Sequence, residues 1–139
     1  MGLRVGDILF LYVQSLRNPK PKYCVLASLE PRPLLFLINS ELTNYKQAQP
    51  DLMAGQLEID AQNHSFLRYD SWLDCAESHF YDRERLGAEF EATPEILVGH
   101  LSDAMLARVV EVVRCSRVLP KRDITQILMA LDPPAQSGP

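Results

Sequence analysis

The feature that most constrains this chain is a series of short apolar runs separated by prolines. Residues 8–13, 23–28 and 34–38 are mostly apolar, and the breaks between them carry Pro19, Pro21, Pro31 and Pro33. Runs this short between proline-rich breaks are typical of buried β-strands rather than helices. Because the breaks are short enough for hairpin-like connections, the sequence predicts an antiparallel meander.

The middle of the chain gives weaker strand signals. Three further short strands are predicted at residues 56–60, 71–75 and 95–98. The polar segment 41–56 is predicted to be a long loop with one helical turn, because it carries Pro50 and Gly55. The charged segment 76–94 is predicted to be a second, mobile loop.

The C-terminal third carries two helical patterns. Ser102 is a preferred N-cap, and Asp103 after it suits the positive end of a helix dipole. Apolar residues then recur at spacings of three and four, which predicts one buried stripe. The first stripe is Met105, Leu106, Val109, Val110 and Val113, and the second is Ile124, Ile127, Leu128 and Leu131. Both stripes are predicted to pack on the core, although the second could instead cover another subunit.

Length and composition indicate one globular domain. The 139 residues are 47% hydrophobic and 23% charged, which is typical of a folded protein. We predict one domain over residues 1–132 and a disordered tail over 133–139. The apolar runs are far shorter than the roughly 20 residues of a membrane span. No signal peptide is recognised either, so we expect no membrane contact and a cytoplasmic location.

Charge is distributed unevenly along the sequence. The net charge is +3 over residues 1–50, −8 over 51–100 and +1 over 101–139, which together give −4. A net acidic chain argues against nonspecific nucleic-acid binding, since that affinity comes from neutralising phosphates. A local basic groove at Arg17, Lys20, Lys22 and Arg32 remains open, and so does the alternative that these are solvated loop charges.

The cysteines do not indicate a disulfide framework or a metal site. Cys24, Cys75 and Cys115 are odd in number and far apart, so we expect free thiols, at least two of them buried. Cys75 and His79 form the only close pair of metal-ligand types, and two ligands do not make a site. No metal and no cofactor are therefore predicted.

Three pieces of the sequence resemble the MazF/PemK toxin family. Gly6-Asp7-Ile8 followed by residues 20–28 resembles the opening of the family. Residues 66–75 resemble a stretch in which the family has a Leu and a Lys pair, followed by Asp-Ser and a strand. Gly99-His100-Leu101-Ser102 resembles its closing Gly-x-Leu-Ser and C-terminal helix. The resemblance implies a small, mainly β, SH3-like antiparallel barrel with a C-terminal helix. It also implies a homodimer that is usually a ribosome-independent endoribonuclease, held inactive by an antitoxin protein.

The sequence departs from the family pattern near the reaction chemistry. Where the family has Arg-Pro before the second strand, this chain has Lys22-Tyr23. Where the family has an Arg followed by Thr or Ser, residues 76–80 contain no arginine, and the next is Arg83. A long insertion also occupies residues 41–56. These departures keep a second reading open, a catalytically silent barrel that binds a protein or nucleic acid in a regulatory or defence complex.

Metal-free cleavage of single-stranded RNA needs a base, an acid and cations around the phosphate. The catalytic candidates are Lys22 for phosphate charge, Ser71 for positioning and His79 for proton transfer. The RNA-binding candidates are Arg17, Lys20, Tyr23 and Arg83. A purely structural role remains open for several of these residues. Ser71 could cap a turn with Asp70, and carboxylates surround His79 in the sequence.

These candidates predict one site between the loop at residues 20–22 and the junction at residues 71–79. On this hypothesis the chain is the toxin of a toxin–antitoxin-like system that cleaves single-stranded RNA without a metal. The change His79→Ala is then expected to abolish growth arrest and leave the fold intact, because losing a general acid or base lowers rates about 10²–10⁴-fold.

Overall fold

A computed structural model describes residues 2–133 as six strands and five helices. The strands are β1 (Asp7–Val13), β2 (Lys20–Ser28), β3 (Leu34–Asn39), β4 (Gln56–Ile59), β5 (Ser71–Phe80) and β6 (Leu97–His100). The helices are α1 (Asn44–Gln47), α2 (Pro50–Met53), α3 (Arg83–Ala92), α4 (Asp103–Arg114) and α5 (Lys121–Leu131), with a 3₁₀ turn at Pro94–Ile96. The predicted disordered tail lies outside the described residues apart from Pro133.

All six strands form one antiparallel sheet in the order β4-β5-β3-β2-β1-β6. The sheet curls into a half-barrel, with β4 and β6 at its edges. The predicted meander of the first three strands is confirmed. The six strands that the sequence predicts are all present, and the predicted helix that follows Ser102 packs on one side of their sheet.

The sheet buries apolar side chains on both faces, because successive residues of a strand point to opposite sides. We call the side packed against α4 and α5 the helical face. There Phe36 of β3 meets Val113 and Ile127. On the other side, the α3 face, Leu9 and Leu35 pack with Leu86 of α3. Burial on both faces explains why β3 reads as a continuous apolar run rather than as an alternation.

The C-terminal helices form where the sequence predicts them. The Ser102 hydroxyl accepts a hydrogen bond from the backbone N–H of Met105 at 3.2 Å and so caps α4. Val109, Val110 and Val113 of the first stripe are buried, and Ile127 of the second is buried with them. Both stripes therefore pack on the sheet of the same chain.

A polar network fastens α5 to the strands beneath it. The buried Asp123 carboxylate accepts hydrogen bonds from Arg32 at 2.8 Å and from the Ser78 hydroxyl at 2.7 Å. The Gln126 amide donates to the Ser28 hydroxyl at 2.7 Å and to the carbonyl of Arg32 at 2.6 Å. These partners come from the end of β2 and the connection that follows it, and from β5, so α5 is joined to two separate parts of the sheet.

The predicted mobile loop over residues 76–94 is wrong. β5 runs on to Phe80, and α3 follows directly, capped by the Asp82 carboxylate, which accepts from the backbone N–H of Arg85 at 2.9 Å. Leu86 is the one buried residue of α3. A helix that buries a single side chain needs no apolar stripe, so no helical periodicity marks this segment in the sequence. The 41–56 segment has two one-turn helices instead of one.

The cysteines behave as expected within residues 2–133. Cys24 and Cys75 are buried, Cys115 is exposed, and all three are free thiols. Burial raises the pKa of Cys24 and Cys75 far above that of an ordinary thiol. Neither thiol is therefore a nucleophile at neutral pH, since the thiolate is the reactive form.

Candidate nucleic-acid interface

A cleft of about 320 Å³ opens on the helical face, at the end of the sheet that α4 and α5 leave uncovered. Strands β1, β2 and β3 form its floor, and the segment leading into β5 forms its wall. It is lined by aromatic residues, by Lys22 and Arg68, and by Ser71. No carboxylate and no histidine lines the cleft in the described part of the chain.

Three aromatic rings form a row in this cleft. The ring centroids of Phe10 and Tyr23 are 4.7 Å apart, and those of Tyr23 and Phe66 are 4.9 Å apart. The first contact follows from the strand register, because Phe10 of β1 pairs directly with Tyr23 of β2. Phe66 reaches the row from the β4–β5 connection. The ring of His64, in the same connection, stands edge-on to the Phe66 ring, with 6.0 Å between the ring centroids.

The row is accessible to a ligand. Phe10 is 41% exposed, which is unusual for a phenylalanine in a strand whose neighbours are buried. Tyr69, at the outer wall of the cleft, is 67% exposed, and Arg68 beside it is also exposed. Flat, accessible rings beside cations are the combination on which single-stranded nucleic acids stack.

Lys22 precedes Tyr23 in β2 and lines the cleft beside it. Because neighbouring residues of a strand point to opposite faces, its side chain leaves β2 towards the α3 face, as that of Cys24 does. Its ammonium donates a hydrogen bond to the side-chain oxygen of Asn39 on β3 at 2.6 Å. Partial burial lowers the pKa of Lys22 below its ordinary value, and the nearby charges of Lys20 and Lys46 lower it further. The carboxylate of Asp74 opposes this shift. Lys22 is thus a half-buried cation whose hydrogen-bond partner is a neutral amide.

Ser71 shares the cleft with Lys22, as the sequence analysis proposed. It is the first residue of β5, and its hydroxyl donates to the carbonyl of Tyr69 at 2.8 Å. Asp70 accepts from the backbone N–H of Ala61 at 2.9 Å and so closes the β4–β5 connection. Ser71 therefore stabilises the turn that presents Tyr69, and its oxygen keeps lone pairs for a further donor.

His79 lies outside the cleft. Trp72 of β5 pairs with Asn39 of β3, and His79 pairs with Leu35. Ser71 and His79 are therefore about five residues apart when counted along β3, which is about 17 Å at about 3.4 Å per residue. Only 7% of His79 is exposed, and its Nδ1 is 3.1 Å from the Ser15 hydroxyl. The structure separates the two ends of the predicted junction because β5 continues through it.

The environment of His79 favours its neutral form. Burial lowers the pKa of His79, against the opposing charges of Glu77 and Asp74. Its Nε2 is 3.9 Å from the Glu77 carboxylate, a distance too long for a hydrogen bond. A neutral, buried ring is suited to packing on the α3 face rather than to exchanging protons with a substrate.

Of the four predicted RNA-binding residues, the cleft contains Tyr23. Arg17 is exposed in the β1–β2 turn, and Lys20 is exposed at the start of β2, opposite Val13. Arg83 begins α3 and forms an ion pair with Glu30, far along the chain from the residues of the cleft. These three cations are not brought together with Lys22 in the cleft.

Sequence reasoning missed Phe10, Phe66 and Arg68 as site residues. The signal for Phe10 is its spacing of two from Tyr12, because aromatic residues at alternate strand positions share a face. Phe66 carries no comparable signal. It lies in a polar connection and becomes part of the row through a long-range contact with Tyr23.

Neither a metal site nor a membrane span is found in residues 2–133. No group of three or more potential metal ligands lies together in that part of the chain. None of its helices has the length and apolar character needed to cross a bilayer. Comparison with known proteins adds no assignment, since no protein-family model and no curated protein matches this sequence.

Proposed function

We propose that the chain is an SH3-like barrel of the MazF/PemK type that binds single-stranded RNA in the aromatic cleft. In this proposal it is a cytoplasmic, homodimeric toxin held inactive by an antitoxin, and it cleaves the bound RNA without a metal. The observation that carries the proposal is the row of Phe10, Tyr23 and Phe66 in a cleft that Lys22 and Arg68 also line. The curled antiparallel sheet and the helix that follows Ser102 are consistent with the expected barrel.

The parts of the cleft match the parts of a single-stranded RNA. The rings of Phe10 and Tyr23 offer faces on which unpaired bases can stack, a contact that does not depend on base identity. Lys22 and Arg68 supply positive charge for the phosphates between those bases. A duplex does not fit this arrangement, because its bases are already stacked and paired.

Cleavage would begin with attack of a ribose 2′-hydroxyl on the adjacent phosphorus. The 2′-hydroxyl gives up its proton to a base, the P–O5′ bond breaks, and the leaving oxygen takes up a proton. The cleft groups able to exchange protons are the Lys22 amine and the phenols of Tyr23 and Tyr69. We assign the proton transfer and the phosphate contact to Lys22, whose lowered pKa makes its neutral form more accessible than that of an ordinary lysine.

A growth assay with RNA analysis tests the proposal. Expression of the chain without a partner protein should arrest growth and fragment cellular RNA, and the purified protein should cut a short single-stranded RNA in the presence of a chelator. Lys22→Met should abolish all three effects. Lys121→Met is the matched control, because Lys121 is exposed at the start of α5 and does not line the cleft.

The position of His79 favours a second candidate, the catalytically silent barrel. The predicted acid–base residue is buried outside the cleft, so stacking and charge remain there without a histidine or a carboxylate. Such a protein would bind single-stranded RNA and leave it intact. Binding of the RNA without cleavage therefore supports the silent barrel, and the absence of both contradicts the RNA-directed proposal.

A further inference from the structure

A buried polar cluster lies beside Lys22, on strands β3, β4 and β5 and on helix α1. At its centre is Asp74, which is 4% exposed. Its Oδ2 accepts a hydrogen bond from the Lys46 ammonium at 2.8 Å. Its Oδ1 accepts from the Gln56 amide at 2.9 Å and from the backbone N–H of Ala76 at 3.0 Å. Both oxygens of this carboxylate are therefore occupied.

Lys22 is close to this carboxylate and does not bond to it. Leu37 of β3 pairs with Cys24 on one side and with Asp74 on the other, so Asp74 and Lys22 are two strands and two residues apart, but the Lys22 ammonium donates to Asn39 instead. No ion pair involves Lys22 within residues 2–133. Lys46 occupies the position on Asp74 that Lys22 would otherwise be attracted to.

We propose that Lys46 is a positioning residue that neutralises Asp74 and so leaves Lys22, held by Asn39, free to bind an RNA phosphate. The inference rests on the proposed RNA binding for its ligand, and on the polar cluster itself for its geometry. A buried carboxylate needs a cationic or hydrogen-bonding partner. Without Lys46, Asp74 would attract the Lys22 charge, on which it already acts. A lysine paired with a buried carboxylate is a poor phosphate ligand.

The insertion that carries Lys46 has a structure suited to this task. Lys46 lies on α1, within the 41–56 segment that departs from the MazF/PemK pattern. The Thr43 hydroxyl accepts from the backbone N–H of Lys46 at 3.2 Å and caps this single turn. A one-turn helix has little stability of its own, so the Lys46–Asp74 ion pair also holds the segment against the sheet.

The charge around Lys22 comes from several elements. Lys20 and Cys24 are on its own strand, Lys46 faces it from α1, and Asp74 and His79 face it from β5. Lys46 acts on Lys22 in two ways. It repels the Lys22 charge directly, and it engages the carboxylate that would attract that charge. Removing Lys46 should therefore raise the pKa of Lys22 through both effects.

The experiment compares Lys46→Met with Lys46→Met/Asp74→Asn. Fluorescence anisotropy with a short, labelled single-stranded RNA gives affinity, and NMR of lysine side chains gives the pKa of Lys22. We expect Lys46→Met to weaken RNA binding about tenfold or more and to raise the pKa of Lys22. The double variant, which lacks the carboxylate, should regain most of the affinity. Lys46→Arg, which keeps the ion pair, should bind as the wild type does.

The outcomes separate this inference from the proposed function. If the wild type does not bind RNA, the proposed function fails, while the pKa of Lys22 still tests whether Lys46 keeps Lys22 away from Asp74. If Lys46→Met does not fold, Asp74→Asn alone carries the test, because it should lower the pKa of Lys22 further. An unchanged pKa of Lys22 in a folded Lys46→Met or Asp74→Asn protein would overturn the inference. So would failure of the folded double variant to recover the affinity lost in a folded Lys46→Met.

Discussion

At the scale of single residues, Lys22 links two environments that are chemically different. One is the aromatic cleft, where it stands beside Tyr23. The other is the polar cluster, where Asn39 holds its ammonium and Lys46 keeps Asp74 occupied. A lysine with three donors can keep one hydrogen bond to Asn39 and direct the others at a ligand. This is why we place the phosphate contact at Lys22 rather than at the more exposed Lys20.

The stacking role that we propose for Tyr23 is tested by replacing its ring with an aliphatic side chain of similar bulk. Tyr23→Leu should weaken binding of single-stranded RNA by roughly 5- to 150-fold, since base stacking is worth about 1–3 kcal/mol per base. The measurement is anisotropy at fixed salt. Tyr45→Leu is the control, because Tyr45 is 68% exposed on α1 and does not line the cleft. Equal losses in both variants would argue against stacking in the cleft.

His79 should make stability depend on pH in a defined window. Burial lowers its folded-state pKa below the ordinary 6.5, so the unfolded chain binds the proton more readily. The free energy of unfolding should therefore fall as pH drops below about 6.5 towards the folded-state pKa, and this part of the dependence should be absent above it. Urea unfolding at pH 5 and pH 8 measures it.

In His79→Gln the difference in unfolding free energy between the two pH values should be smaller than in the wild type. RNA binding at pH 8 should persist in this variant, because the ring lies outside the cleft. A variant with the same pH dependence as the wild type would show that His79 does not titrate in this range. Loss of RNA binding in a folded variant would return His79 to the site.

At the scale of elements, α5 depends on one buried carboxylate. Asp123 binds both Arg32 and Ser78, and a hydrogen bond to a charged group is worth about 1.5–3 kcal/mol. Asp123→Asn should lower the free energy of unfolding by about that amount in urea melts. Arg122→Gln is the matched control, because Arg122 is exposed and its nitrogen lies 3.6 Å from Asp123, and ion pairs of such exposed side chains contribute about 1 kcal/mol or less. Equal losses would argue against the network as the anchor of α5.

The same elements show what the sequence could predict. β1, β3, α4 and α5 were predictable because their signals are local, namely uninterrupted apolar runs, an N-cap and helical stripes. The full length of β5 was not predictable. Its polar residues Asp74 and Ser78 are satisfied by Lys46 and Asp123, which lie far away in the sequence. Without those partners the segment after Cys75 has the composition of a loop.

The candidate site was also predictable only where its signals are local in the sequence. Lys22, Tyr23 and Ser71 were placed in one site from the order of motifs, and the cleft contains all three. Phe66 and the pair of Lys46 with Asp74 depend on contacts made by the β4–β5 connection and by segment 41–56, which are distant in sequence. His79 was placed with Ser71 because β5 was predicted to end between them, and the continuing strand separates the two.

At the scale of the whole molecule, the half-barrel has two covered faces and one open region. α4 and α5 cover most of the helical face, and α3 covers the opposite one. The aromatic cleft lies where neither layer reaches, so a ligand can approach it without any helix moving. Large apolar side chains are also exposed away from the cleft, among them Met129 on α5 and Val118 in the turn before it.

The proposed homodimer is the last prediction, and it concerns this second set of exposed residues. Met129 is 58% exposed and Val118 is 38% exposed, both on the helical layer, and covering them with a second copy would remove apolar surface from water. Light scattering should give twice the chain mass of 15.8 kDa at high micromolar concentration. Met129→Glu should shift the protein towards the monomer, because a charge cannot be buried there without a partner. Tyr45→Glu, an exposed change on α1, should leave the dimer intact. A wild-type protein that stays at the monomer mass would contradict the dimer and leave the cleft as the property of a single chain.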